Sequence, residues 1–237
     1  MFELQKLLID LFIQKHKSIP KELILDFDAT DDPTHGNQEG SFFHGYYKSY
    51  CFLPLYVFCG SDPLLALLRP SNADGAKGSL LVLKYLVKRI RAAWGEGIRI
   101  IFRGDTGFMR RKVLRWCEAH GVSYIVGQAH HKGIKKVTSE FRAKVAEDFQ
   151  KTGEKQRQFM EFGYRPKDGI TFRRVIIKAE HTEQGENPRC IVTNLTGEPQ
   201  DLYDNVYCAR GDMENRIKEQ QLGLFADRTG GAINFDY

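Results

Sequence analysis

Residues Glu22–Thr34 read ELILDFDATDDPT, and the fold turns on how this stretch is understood. Leu23, Ile24, Leu25 and Phe27 form an apolar run of strand length that ends among four carboxylates, Asp26, Asp28, Asp31 and Asp32. A short apolar run closed by turn residues is the pattern of a buried strand. Side chains alternate along a strand, so Asp26 and Asp28 fall on one face. Asp28 stands where the run stops. There a carboxylate can reach water or a cation, whereas burial without a partner costs several kcal/mol. Acids that cap a turn are the competing explanation for this cluster taken alone. A second aspartate and a glutamate, placed later in the chain in matching ways, decide between the two.

Upstream, Met1–Ser18 places Phe2, Leu4, Leu7, Leu8, Leu11 and Phe12 at helical spacing, and Pro20 ends that amphipathic helix. Downstream, Tyr46–Gly60 is rich in Tyr, Phe, Val and Cys and reads as strand, with Pro54 at an edge or bulge. Ser61–Gly75, with Pro63, Pro70, Asn72 and Gly75, reads as a connection. Lys77–Trp94 carries Leu80, Leu83, Val87, Ile90 and Trp94 on one stripe and is a helix. Gly97–Asp105 (GIRIIFRGD) is a second short strand that runs into an acid, Asp105. A helix over Phe108–His120, closed by Gly121, and a strand Val122–Gly127 come next. The alternation of strands and helices argues for a sheet with parallel members and flanking helices. Acids at the carboxyl ends of such strands lie on the edge where open sheets place ligands.

The rhythm breaks after residue 128. A polar, basic stretch with His130, His131, Lys132, Lys135 and Lys136 precedes three strands, Phe159–Tyr164, Thr171–His181 and Arg189–Asn194. We read residues 129–203 as an insertion with its own small sheet. A helix resumes at residues 204–224. At 100° per residue, Tyr207, Arg210, Glu214, Lys218 and Gln221 share one stripe, beside an apolar stripe of Val206, Met213, Ile217 and Leu224. A polar stripe flush against a buried one lies at the boundary of the core, where a catalytic carboxylate belongs. A solvated face with an i,i+4 Glu214–Lys218 pair is the plainer alternative.

The 237 residues carry a net charge of +5, compatible with nucleic acid and not diagnostic of it. Five scattered cysteines without a C-x-x-C pair point to a reducing, cytoplasmic setting. The sequence has no apolar run of membrane-spanning length, so no membrane partner is expected.

Two strand-end aspartates and a late helical glutamate form a set. Three converging carboxylates repel one another, and a cation must relieve that. A pair of magnesium or manganese ions, which favour hard oxygen ligands, is the usual solution where phosphoryl oxygens are displaced in line.

The stretches LDFDATDDPTHG, FRGDTGF and YCARGDMENRIKEQQLGLFADRT resemble cut-and-paste DDE transposases of bacterial insertion sequences, in the group numbered 1380. That group is related to transposases with a tyrosine–arginine–glutamate–lysine signature helix. The resemblance implies an α/β fold: an RNase H-like mixed sheet with flanking helices, interrupted by a β-rich insertion before the catalytic glutamate helix. It divides the chain into an N-terminal helix (1–20), the first part of the core (21–128), the insertion (129–203), the catalytic helix (204–225) and a tail (226–237). It assigns Asp28, Asp105 and Glu214 as catalytic acids and ligands of two Mg2+ or Mn2+ ions. Tyr207 and Arg210 match the first two signature positions. The lysine position falls on Gln221, with Lys218 on the same stripe, and these four residues are the expected DNA contacts. The implied partners are transposon ends and target DNA, met by a homodimer at the nucleoid. A DNA-binding fragment or regulator with weak cleavage is the alternative, and a plain RNase H-like nuclease does not need the signature stripe.

The resemblance begins almost at residue 1 and leaves little after Phe225, which implies a chain shortened at both ends. A core without an outer helix would then expose an apolar patch along Val206, Met213, Ile217 and Leu224 or on the inner face of residues 2–12.

Overall fold

The expected helix at the N-terminus and strand at ELILDFDA both form. A computed structural model describes residues 2–36, 38–165 and 171–223, and the tail 226–237 lies outside the described residues. The chain separates into two compact units. The first comprises residues 1–103, 110–122 and 210 onward; the second comprises 104–109 and 123–209.

The first unit is built on β1 (Glu22–Ala29), β5 (Leu55–Cys59), β6 (Asp62–Leu67) and β7 (Arg99–Gly104), in the order β7-β1-β5-β6. β1 pairs antiparallel with β5, setting Asp26 opposite Phe58 and Asp28 opposite Tyr56. β5 pairs antiparallel with β6. Two ion pairs show that β1 and β7 run parallel. Glu22 meets Arg99 at 3.0 Å, and four residues further along both strands Asp26 meets Arg103. The sheet is therefore mixed, as the sequence implies.

The Asp26–Arg103 pair is buried at its centre. Asp26 is 2% exposed and Arg103 6%. The guanidinium donates through both Nε and Nη2, the latter at 2.5 Å from Oδ2. Burial pushes the Asp26 carboxyl above its ordinary range, against the hydrogen bond and charge of Arg103. On the other face of the same strands Phe27 and Phe102 meet edge to face, with ring centroids 4.8 Å apart.

Helices α1 (Phe2–Lys15), α2 (Ser79–Trp94) and α3 (Arg111–Ala119) complete this unit. The apolar stripe of α2 is buried through Val82, Leu83, Leu86, Val87 and Ile90. On α1, Ile9 and Phe12 are buried, and Gln5 fixes the helix to β6 through a two-way bond with Ala66: Gln5 Nε2 donates to the carbonyl, and the Ala66 N–H donates to Gln5 Oε1.

Residues 61–75 are not the plain connection expected from Pro63 and Pro70, because β6 lies within them. β6 is an edge strand, and an edge tolerates the missing proline N–H at its start. Its Leu64 and Leu65 are buried, which supplies the gain that composition hides. A three-stranded sheet, β2 (Asp32–Pro33), β3 (Phe42–His44) and β4 (Ser49–Phe52), ordered β2-β4-β3, also belongs to this unit.

In the second unit, β8 (Ser123–Gln128), β9 (Gln156–Tyr164), β10 (Arg173–Thr182), β11 (Gly185–Glu186) and β12 (Arg189–Thr193) pair antiparallel. β12 pairs with β8, so the strands after residue 128 share a sheet with β8 and do not form a separate one. α4 (Lys132–Val137) and α5 (Ser139–Thr152) precede β9, so the polar, basic stretch is helical. Glu180 on β10 is held by Lys155 and Lys178, each at 3.0 Å. Burial alone would raise its carboxyl, but the two lysines outweigh burial and bring it down to about 2. All five cysteines are free. No described helix is long and apolar enough to cross a membrane.

Breaking the Asp26–Arg103 pair on one side tests its role. Arg103→Met leaves a buried carboxylate without its partner and is expected to cost about 3–5 kcal/mol in urea unfolding. Adding Asp26→Leu should recover most of that loss, since an apolar pair of similar volume is often neutral or better. A double variant as unstable as the single one would contradict this.

Candidate active site

Asp28 is the next-to-last residue of β1, and its side chain is 14% exposed. The Nη1 of Arg210 lies 3.5 Å from its Oδ1, and Arg210 is itself 16% exposed. This separation exceeds the roughly 2.7–3.2 Å of an N–H···O hydrogen bond, so the contact is one of charge more than of bond direction. Arg210 also acts on Asp26 through its charge, while Asp212 pushes the Asp26 carboxyl up. The strand end thus gathers Asp26, Asp28, Arg103 and Arg210 in one charged cluster of the first unit.

Helix α7 (Gly211–Gly223) is fixed beside this cluster by packing. Met213 and Ile217, 2% and 3% exposed, form a cluster with Phe58, against which the half-buried Tyr56 also packs. Phe58 and Tyr56 are the residues paired with Asp26 and Asp28 across β1 and β5. The helix that carries Glu214 is therefore seated on the strand next to Asp28. The expected exposed patch is absent at these positions: Met213 and Ile217 are covered by Phe58. On α1 the exposed leucines are Leu7 and Leu11, at 52% and 53%, while Ile9 and Phe12 are buried. The side chains of Glu214 and Gln221, and Leu224 altogether, lie outside the described residues. Lys218 is exposed.

The helix expected over 204–224 is not uniform. A single turn, α6 (Pro199–Asp201), runs into a π-helical stretch Leu202–Tyr207, then a tight 3-10 turn Cys208–Arg210, and only then α7. A stripe drawn at 100° per residue does not carry through that segment. π-turns of this kind are frequent at functional sites.

Asp105 belongs to the second unit and stands just past β7. It caps the short turn Thr106–Phe108, its Oδ1 accepting from the Gly107 N–H at 2.8 Å. Gly127 on β8 makes room for this turn. A Cβ at that position would sit 2.7 Å from Thr106 N, 2.8 Å from Thr106 Oγ1 and 2.7 Å from the Tyr207 hydroxyl. Tyr207 and the Asp105 turn thus meet over one glycine. Tyr207 is further held by Tyr203, its ring 5.7 Å away, and Tyr203 by Phe159 at 5.6 Å.

The model of a family described as transposase DDE domain group 1 matches residues 1–232. The chain belongs to that family. Among solved structures it is similar to a piggyBac transposase in a synaptic complex with hairpin DNA, with a TM-score of 0.53 and 12% sequence identity. The match covers 88% of this chain and 43% of that one, so the chain spans less than half the length of that transposase. At this identity the likeness concerns the fold, which supports the RNase H-like expectation. No curated protein sequence matches the chain.

Domains of this family act with divalent metal ions. Among the described residues, no three His, Cys, Asp or Glu side chains are grouped so as to hold one. The Glu214 side chain, the third member of the expected set, is not among them. The chemistry of the set fits the ion nonetheless: Asp28, Asp105 and Glu214 offer only carboxylate oxygens, which suit magnesium or manganese better than zinc.

Two residues escape a reading of the sequence. Arg103 precedes Asp105 by two positions, as Asp26 precedes Asp28, and an Arg and an Asp at matching places in two strands is the available signal. Gly127 follows the apolar run YIV of β8, where a glycine marks close approach of another backbone. Gly127→Ala is expected to move the Thr106–Gly107 amides in an NMR spectrum and to cost about 1–3 kcal/mol, as overpacking does. Unchanged amide shifts and stability would show that the turn does not rest on Gly127.

Proposed function

We propose that this DDE domain cleaves and joins DNA strands at the ends of an insertion sequence of the 1380 group, using Asp28, Asp105 and Glu214. The observation that carries the reading is the seating of α7 by Met213 and Ile217 on the β5 residues paired with Asp26 and Asp28. An acid-bearing helix packed beside a strand that ends in an acid supports a shared carboxylate site. When bound, divalent ions would polarise the phosphate and ready a hydroxyl for attack.

The chain's own residues bind and orient. Asp28 and Asp105 hold their carboxylates at strand ends on rigid backbone, Asp105 through its bond from Gly107. Glu214 supplies the third carboxylate from the helix. Arg210 and Lys218 neutralise backbone phosphates, contacts that position DNA without reading its sequence. Tyr207 and Gln221 complete the DNA contacts of the signature segment. Transposon ends and target DNA are the proposed partners, engaged by a homodimer.

Incubation with supercoiled plasmid and Mn2+ or Mg2+ tests this reading. Strand nicks should appear only with the metal. Asp28→Asn, Asp105→Asn and Glu214→Gln should each lower the nicking rate by about a hundredfold or more, with unchanged thermal melting. DNA binding without any metal-dependent nicking would favour a regulatory fragment. Nicking that survives Asp28→Asn would reject these residues as the catalytic set.

A further inference from the structure

We infer that helix α4 is a phosphate-binding surface of the second unit, a lysine face that holds the backbone of duplex DNA without reading its sequence. The inference rests on the reading of DNA as the partner and is independent of the three acids. Only Ile134 of the six residues of α4 is buried. Lys132, Lys135 and Lys136 are exposed, and their spacings of three and four place them on one side of the helix. The chain carries no acid between Glu118 and Glu140. None of the three lysines has an ion-pair partner among the described residues. Four lysines elsewhere do hold an acid: Lys15, Lys151, Lys155 and Lys178, at 2.6–3.0 Å.

Like charges three and four residues apart repel and work against a helix. This one forms because its ends and its back are tied down. His131 Nδ1 accepts from the Gly133 N–H at 3.2 Å, and the Thr138 hydroxyl donates to the Ile134 carbonyl at 2.9 Å. A Cβ at Gly133 would sit 2.9 Å from the Tyr164 hydroxyl, so the helix lies close against the end of β9. A glycine inside a helix costs stability, and this close approach is its use here. The neighbouring His130 senses the field: burial holds it below its ordinary range, and the charges of Arg142 and Lys135 add to that, against Glu186. Positive charge is thus concentrated on fixed backbone, and an external anion relieves its repulsion. Ammonium groups on flexible stems act as point charges, which suits a row of anions more than the edge of a base. Six helical residues extend over about 9 Å, the run of two or three phosphates on one strand of duplex DNA.

Fluorescence anisotropy of a short labelled duplex, titrated with the full chain at several salt concentrations in EDTA, tests this without cleavage. The chain carrying Lys132→Gln, Lys135→Gln and Lys136→Gln together should bind less tightly. Its plot of log affinity against log salt should be flatter by about two to three units. Lysine-to-arginine changes at the same three positions keep the charge and should retain both affinity and slope. Removing three exposed lysines of the first unit, through Lys6→Gln, Lys17→Gln and Lys21→Gln, makes the same change in net charge and should leave the slope nearer to that of the unaltered chain. An unchanged slope in the α4 variant, an equal loss in the control, or no rescue by arginine would overturn the proposal. So would a loss confined to one DNA sequence. If the unaltered chain does not bind the duplex at all, the DNA reading itself fails and this inference falls with it. Binding that persists while ignoring α4 overturns the inference alone.

Discussion

The ion pair between Asp26 and Arg103 is the constraint on which the position of Asp28 depends. It is buried, doubly hydrogen bonded and placed between two parallel strands. Two residues beyond each partner stands an expected catalytic acid, Asp28 in β1 and Asp105 after β7. A buried pair of this kind adds little net stability compared with an apolar pair. Its value is in register: a slip of one residue would strand both charges in the core. The strands are thus locked by an interaction that tolerates no alternative pairing, and Asp28, two residues further along β1, inherits that precision.

Charge balance then shapes what surrounds Asp28. The sheet delivers two carboxylates from one strand, and two arginines answer them from different directions. One arginine is part of the sheet. The other arrives on an irregular helical segment that changes from π to 3-10 geometry before α7 begins. Met213 and Ile217 fix α7 on β5 and so decide where Arg210 can reach. Packing of two apolar side chains therefore sets the position of the charge that faces Asp28.

Much of this is legible in the sequence. β1 and β7 announce themselves because each is an apolar run that stops at acids, and α2 because its leucines and valines repeat at helical spacing. β6 escapes because Pro63 looks like a break, and only pairing to β5 reveals that the strand lies at an edge. Strand partners after residue 128 are hidden because the pairing of β12 with β8 joins residues far apart in the chain, such as Thr193 and Ile125. The signature helix reads as uniform only under one fixed angular step, and a π-turn breaks that step without altering composition. Arg103 and Gly127 act through what they touch, and a single sequence does not show their neighbours.

We propose that Asp28, Asp105 and Glu214 form one metal site. Anomalous scattering from Mn2+ in crystals of the chain bound to duplex DNA addresses it most directly. The account predicts manganese coordinated by carboxylate oxygens of all three residues, with Arg210 on a phosphate. Manganese bound elsewhere, or bound by Asp28 while Asp105 or Glu214 lies out of reach, would contradict it.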